Sequence, residues 1–354
     1  MSATTTAPQE TKAPQARKHF DLGGFVRKYL IVFILIGLVI LLSFLTDGTF
    51  IQAQNLINVI RQVSAIGIIA AGMVFVIMTL GIDLSVGAIV AMSAVVASSL
   101  AQAVSASVIK YPGLDVPVIV PILVGLAVGA AAGLVNGVII TRFKIAPFIA
   151  TLGMMTAGRG IALIYSGGRP ISSLKDGFNW LGQGDVMGIP VPILLFAVVV
   201  VVASVLLNRT RFGRYTYAIG GNEQAARVSG INIDRVKIGI YTFIGLLSGL
   251  AGMVLAGRIG SGNPQLGTGI ELDVIAATVI GGTSFAGGVG TIWGSVVGAL
   301  IIGIINNGLD LLNVSPFLQQ VVKGVIIVVA VIIDERKSGG RRRLRRRRSA
   351  ASAQ

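Results

Sequence analysis

The chain has 354 residues, of which 54% are hydrophobic and only 12% are charged, and its mean hydropathy is +0.85. Because a soluble domain carries about 25% charged residues, this composition excludes an ordinary soluble protein and indicates one that crosses a membrane repeatedly. The net charge of +15 includes an Arg-rich run at 341–348, which we interpret as a solvated, disordered tail near anionic lipid, not a nucleic-acid site. The chain has no cysteine, which excludes disulfides and thiolate metal sites.

Ten apolar segments follow one another along the chain, each close to the length of about 20 residues that crosses a bilayer. They predict an all-α polytopic membrane protein, with a transmembrane domain at 29–334 between a polar tail at 1–28 and a basic tail at 335–354. The first tail lacks the apolar core of a signal peptide, so we interpret it as a disordered cytoplasmic tail. The predicted spans are 29–46, 62–81, 85–105, 118–141, 145–166, 189–208, 237–257, 273–289, 291–309 and 314–333.

The second half of this domain repeats the first. Residues 82–90, IDLSVGAIV, are echoed by IELDVIAAT at 270–278, and a series of glycines around Asn136 is echoed around Asn306. Internal repeats of this kind are typical of transporters, with the solute path between the halves. The predicted five-span halves are 29–188 and 189–334, with broken or re-entrant helices near 81–87 and 271–290, where the Gly-rich run 281–291 provides a turn.

Basic residues indicate how the spans are oriented. Tracing the ten spans places 22 of the 29 Lys and Arg residues on one side, which the positive-inside bias makes cytoplasmic, together with both termini. Because each half has an odd number of spans, the second half inserts upside down: loop 141–146 carries two basic residues and its counterpart 309–315 carries none. The sequence therefore predicts an inverted repeat. The basic residues assigned to the cytoplasmic side are Lys12, Arg17, Lys18, Arg27, Lys28, Arg142, Lys144, Arg209, Arg211, Arg214, Arg227, Arg235, Lys237 and nine from Arg336 to Arg348.

The longest polar segment between spans on the cytoplasmic side is loop 208–236. Asn222 is placed to cap a short helix with Glu223 in its first turn, and two alanines behind them are small enough to pack closely against a partner. From the residues alone, a partner-binding element and an ordinary basic connection are equally compatible with this pattern. The candidate residues are Gly220, Gly221, Asn222, Glu223, Ala225, Ala226 and Arg227.

Several ionisable side chains lie in or beside the predicted spans. A charge at the bilayer centre costs about 2.5–3.5 kcal/mol on insertion scales, so such groups usually face a cavity or a partner. Asp83 precedes an apolar run, where it can cap a broken helix, border the solute path, or do both. Arg159, in mid-span, needs a carboxylate or carbonyl partner. The candidate path or gate residues are Asp83, Ser85, Arg159, Glu271, Asp273, Thr283 and Ser284, with Lys323 as a further charge.

Small residues recur at four-residue spacing in two predicted spans, at Gly125, Gly129 and Gly133, and at Gly294 and Gly298. Such spacing lets helices approach closely, so we predict that these faces pack against other helices. A backbone lining of the solute path is the alternative.

The longest segment predicted on the external side is 167–188. Aromatic and Arg residues are enriched at protein interfaces, and mixed charge at a rim can steer a partner. A docking surface and a lid over the path are equally compatible with this segment. Its candidate docking residues are Arg169, Lys175, Trp180 and Asp185.

Four motifs resemble those of one transporter family. The segment Gly-Gly-Asn-Glu-Gln-Ala-Ala-Arg at 220–227 is similar to the coupling loop of sugar permeases of the ATP-binding-cassette class, and GIDLSVG at 81–87, SGGRPI at 166–171 and the block 262–291 are similar to the ribose-type permease subunit. The resemblance covers about residues 27–334. It implies a homodimer in the bacterial inner membrane, two separate ATPase subunits and a periplasmic sugar-binding protein.

The expected function is passage of a monosaccharide, ribose or a similar sugar, to the cytoplasm by alternating access. No G-x-x-x-x-G-K-[ST] motif is present, so we expect no cofactor on this chain and place ATP and Mg²⁺ on the partner ATPase. An ion-coupled secondary transporter is the alternative, but it would need midplane carboxylates and would not need loop 208–236. A membrane-embedded enzyme is disfavoured because His19, the single histidine, lies in a tail and no paired-carboxylate metal motif occurs.

Overall fold

The computed structural model describes residues 22–105, 109–112 and 114–351. Within that part, thirteen α-helices account for most of the chain, and four two-residue strands form the antiparallel pairs β1 (Ile171–Ser172) with β4 (Ser261–Gly262) and β2 (Asp185–Val186) with β3 (Ile189–Pro190). The helices are α1 (Leu22–Leu45), α2 (Ala53–Met78), α3 (Val86–Leu100), α4 (Ile119–Arg142), α5 (Pro147–Ser166), α6 (Asp176–Gln183), α7 (Val191–Arg209), α8 (Arg211–Gly221), α9 (Glu223–Val228), α10 (Ile233–Ile259), α11 (Ile270–Ile280), α12 (Ile292–Leu311) and α13 (Pro316–Ala351).

Each predicted span contains one helix, which confirms the all-α polytopic fold class. Seven helices in the described part are long and apolar enough to cross a membrane, namely α2, α4, α5, α7, α10, α12 and α13. The described apolar parts of α1 and α3 are shorter, and α11 has 11 residues. The helix breaks fall where the sequence predicted them, because α2 ends at Met78 before α3 begins at Val86, and α11 ends at Ile280 before α12 begins at Ile292.

The two tails differ in part from expectation. The expected first tail lies mostly outside the described residues, but α1 already begins at Leu22. The Arg-rich run at 341–348, expected as a disordered tail, belongs instead to α13, which extends to Ala351.

Two helices, α2 and α10, form the centre of the molecule. Residues 63–78 of α2 are all buried, as expected for a helix that is apolar on every side. Helix α10 packs against α2, α3, α4 and α6. By contrast, none of the described residues of α13 is buried, which leaves that helix at the periphery.

The helix contacts occur in pairs that relate the two halves. The counterparts in the two halves are α2 and α10, α3 and α11, α4 and α12, and α5 and α13. Helix α10 packs on α4, and its counterpart α2 packs on α12. Likewise α3 contacts α5, and α11 contacts α13. The equivalent helices α2 and α10 run in opposite directions. Helix α2 ends beside α8, where a methyl group at Gly220 would overlap Met78 O. Helix α10 instead starts beside α9 and ends beside α6, where Gln183 Nε2 donates to Arg258 O. The repeat is therefore inverted.

The predicted small-residue faces are packing faces. A methyl group at Gly129 would overlap the carbonyl oxygen of Gly245, and one at Gly133 would overlap that of Tyr241, so α4 and α10 touch backbone to backbone. In the second half, a methyl group at Gly298 of α12 would overlap the carbonyl oxygen of Ala277 in α11. Close helix approach through small residues explains all three contacts.

Candidate functional site at two helix breaks

The first break, residues 79–85, is organised by a buried carboxylate. Asp83 Oδ1 accepts hydrogen bonds from Ser85 N at 2.9 Å and Ser85 Oγ at 2.6 Å, and Asp83 is fully buried. Leu80 adopts a left-handed conformation with φ of 63°, which turns the chain out of α2. Asp83 thus holds the turn that starts α3.

An asparagine secures the start of the short helix in each half. In the first half, Asn136 Nδ2 of α4 donates to Ser85 Oγ at 2.9 Å, and in the second, Asn306 Nδ2 of α12 donates to Asp273 Oδ2 at 3.2 Å. Ser85 and Asp273 occupy equivalent positions in the repeat, as do the two asparagines. Asp273 also forms an ion pair of 2.9 Å with Lys323 of α13, which attaches that peripheral helix to the bundle.

The second half has its own break before α11, at 260–269, and Arg159 holds it. Its Nη1 donates to Pro264 O at 2.6 Å and to Leu266 O at 2.9 Å, while Nη2 donates to Gly87 O at 3.3 Å. Backbone carbonyls are therefore the partners that the mid-span arginine needs. Glu271 lies close by, since a methyl group at Gly87 would overlap its Oε2.

The Gly-rich loop 281–291 is fastened at several points. Asp334 Oδ2 of α13 accepts hydrogen bonds from Ser284 Oγ and Phe285 N, both at 3.0 Å, and Thr283 is fully buried. At the other end of the loop, the hydroxyl of Tyr217 in α8 donates to Gly290 O at 2.9 Å. Sequence analysis missed both fastening side chains, because neither lies near the loop in sequence.

The expected capped helix is present in loop 208–236, as α9. Asn222 Oδ1 accepts a hydrogen bond from Ala225 N at 3.0 Å, and Glu223 pairs with Lys237 at 2.9 Å and with Arg227 at 3.6 Å. Ala226 is buried, whereas Gly221, Ala225 and the largely uncovered Val228 are exposed. This end of the molecule presents a partly apolar surface beside ordered ion pairs.

The opposite end carries segment 167–188, which the structure spreads over α6 and the two strand pairs. Lys175 Nζ donates to both Asp115 Oδ1 and Val116 O, so this lysine is engaged within the chain. Arg169 and Asp185 are exposed, and Trp180 is 48% exposed. These three side chains therefore have more freedom to meet a partner than Lys175 has.

The chain matches the family described as branched-chain amino acid transport system / permease component over residues 55–331. It belongs to that family. It is similar to the ribose import permease protein RbsC of Bacillus subtilis, with 49% identity over 90% of this chain and 95% of the relative. It is 42% identical to RbsC of Escherichia coli K12, over 89% of this chain and 96% of the relative. It is 39% identical to the galactose/methyl galactoside import permease protein MglC of Haemophilus influenzae, over 89% of this chain and 95% of the relative. No solved structure matches the chain.

These matches confirm the resemblance to sugar permease subunits of ATP-binding-cassette importers. The chain is a transport component and not an enzyme, and it is a multi-pass protein of the bacterial inner membrane.

Proposed function

We propose that the chain is the membrane-spanning permease of an ATP-driven importer that passes a monosaccharide, ribose or a similar sugar, to the cytoplasm by alternating access. The observation that carries this proposal is the pair of helix breaks at equivalent places in two inverted halves. Each break is held by a side chain from another helix, the one at 79–85 by Asn136 and the one at 260–269 by Arg159, so rocking one half against the other changes both. The relatives' printed names, ribose and galactose import permeases, supply the class of solute.

The surface formed by α8 and α9 is the proposed binding site for the ATPase subunits, which would carry ATP and Mg²⁺. It offers exposed Gly221, Ala225 and Val228 beside the charged Glu223 and Arg227. An apolar centre with a charged rim is typical of a protein interface.

A second copy of the chain is proposed to cover α5. One face of this helix packs on α3, but on the opposite face nothing lies within 4 Å of a methyl group placed at Gly153 or Gly160. The helix glycines of α4 are all in tight contact, so the two open glycines of α5 mark a face that a second helix can approach closely. Disulfide crosslinking between copies with Cys at Gly153 would test this arrangement.

The proposed orientation puts both termini and α9 in the cytoplasm and α6 in the periplasm. The chain has no cysteine, so a thiol reagent can label it only at a Cys that is introduced. In intact cells, a Cys at Phe143 should be shielded from an impermeant thiol reagent and a Cys at Asn313 should react. Reaction of both from one side would contradict the inverted topology.

Residues at the breaks, namely Asp83, Ser85, Arg159, Glu271, Asp273, Thr283 and Ser284, are proposed to border the path or its gates. Only 6% of the residues are aromatic, which leaves few rings to stack on a sugar. We therefore place sugar recognition on the periplasmic binding protein, which would dock near Arg169, Trp180 and Asp185. Lys175 would support that surface indirectly, through its bond to Asp115.

The function is tested by reconstituting the chain in liposomes with its ATPase and binding protein. We expect uptake of labelled ribose or a related sugar that requires ATP and is insensitive to ionophores. Uptake that needs no ATPase and stops when the ion gradient is dissipated would instead indicate a secondary transporter.

A further inference from the structure

Helix α8 touches both halves of the repeat at one place. Tyr217 and Gly220 lie three residues apart, on one face of the helix. The Tyr217 hydroxyl donates to Gly290 O in loop 281–291 at 2.9 Å, and burial raises the pKa of Tyr217, so this hydroxyl keeps its proton at neutral pH. A methyl group on Gly220 would overlap Met78 O at the end of α2 and would lie 2.9 Å from Gly288 Cα.

The other two segments are joined to each other at the same point. Gly288 N donates to Met78 O at 2.9 Å, so the loop of the second half closes on the last turn of α2 in the first half. A methyl group at Gly287 would lie 2.6 Å from Gly220 O and 2.8 Å from the side chain of Leu80. Three backbone segments therefore meet without intervening side chains: the end of α2, loop 281–291 and α8.

Such a contact transmits displacement in both directions. Packed backbone has little compressibility, so a shift of α8 toward the bundle must move Met78 and the loop. A shift of α8 away from the bundle stretches the hydrogen bond from Tyr217 to Gly290 O and so pulls on the loop. The loop can respond by bending, because Gly282, Gly287 and Gly288 have φ of 91°, 81° and 68°, and glycine adopts such conformations at little cost.

We propose that Tyr217 and Gly220 are positioning residues that couple movement of α8 to both halves at once, to the first through Met78 and to the second through loop 281–291. This inference rests on the proposed function, in which an ATPase moves α8 and α9. It assigns the transmission to the side of α8 that faces the bundle, where Gly220 is buried, and not to the exposed residues of α8 and α9. Asp334 holds the far end of the loop at Ser284 and Phe285, so displacement at Gly288 bends the loop between two fixed points.

The test uses the full transporter in liposomes, comparing Tyr217→Phe and Gly220→Ala with the matched control Gly37→Ala. The control adds the same methyl group to α1, outside every proposed binding surface, where nothing lies within 4 Å. For Tyr217→Phe we expect ATP hydrolysis and ATPase binding to persist, while sugar molecules transported per ATP fall about fivefold, as for the loss of one hydrogen bond. Gly220→Ala should lower the ratio at least as much, and Gly37→Ala should leave it unchanged.

A spin label on a Cys at Ala286, in the loop, separates coupling from folding. Trapping the transporter with ATP and vanadate should shift the spectrum in the wild type and in Gly37→Ala, and the shift should be reduced in Tyr217→Phe. A normal transport ratio and a normal shift in Tyr217→Phe would overturn the proposal, even if Gly220→Ala does not fold. Failure of the wild type to bind an ATPase or to transport a sugar would instead refute the proposed function.

Discussion

Asn306 donates a hydrogen bond of 3.2 Å to Asp273, and both residues are buried. The equivalent pair in the first half, Asn136 and Ser85, makes the same kind of bond at 2.9 Å. The difference between the halves is chemical: the second half has a carboxylate where the first has a hydroxyl, and Lys323 accompanies that charge. The inverted repeat thus keeps its geometry while its two short helices are tied to the bundle with different strengths.

Replacing only one partner of the ion pair between Lys323 and Asp273 should destabilise the protein more than replacing both partners together. Lys323→Met leaves a buried carboxylate without its cation, which should destabilise the protein by about 3 kcal/mol. The double variant Lys323→Met with Asp273→Asn should regain most of that loss. Thermal unfolding of the purified protein in detergent measures both effects, and equal destabilisation in the two variants would show that the pair contributes no such coupling.

Arg159 should be essential for the break at 260–269 in the second half. Arg159→Met removes donors to Pro264, Leu266 and Gly87, leaving carbonyl oxygens without partners, and should lower sugar uptake about tenfold or more. Thr156→Ala on the same helix is the matched control, because the Thr156 hydroxyl bonds only within α5. Uptake by Arg159→Met at the level of the control would contradict the assigned role.

The sequence predicted the spans and the breaks but not what holds the breaks. Spans follow from local hydropathy, and the turn at Asp83 follows from an acid before an apolar run. Two of the three carbonyl partners of Arg159 lie in a loop 105 and 107 residues further along the chain, and the third is 72 residues earlier. Every residue has a backbone carbonyl, so a single sequence cannot show which ones the arginine binds. Tyr217 and Asp334 were missed for a related reason, since both bind a loop that is distant in sequence, Tyr217 through Gly290 O and Asp334 through Ser284 Oγ and Phe285 N.

Glu223 should matter through its position on the α9 surface. Glu223→Ala breaks the pairs with Lys237 and Arg227, and should reduce the ATP hydrolysis that the sugar-loaded binding protein stimulates, while membrane insertion remains intact. Asp234→Ala, which removes an exposed acid from the first turn of α10, provides the control. If stimulated hydrolysis is the same in both variants, the α9 surface does not carry the coupling.

The docking surface for the binding protein should depend on exposed charge. Reversal of Arg169 and Asp185 together should weaken stimulation of ATP hydrolysis, and the size of the effect should decrease with salt because exposed charges are screened. Basal hydrolysis should not change. Lys175→Ala should instead act through loss of its bond to Asp115, so its effect should depend less on salt. Stimulation that survives all of these changes would place docking elsewhere.

The central claim is alternating access through two inverted breaks. The most direct measurement compares how readily a thiol reagent reaches a Cys placed in each break. Single Cys residues at Gln265, in the break at 260–269, and at the exposed Leu80, in the break at 79–85, are tested with an impermeant thiol reagent from each side of the membrane, before and after trapping with ATP and vanadate. The account predicts that reactivity at the two positions changes in opposite directions on trapping. A change in the same direction at both, or no change at either, would contradict it.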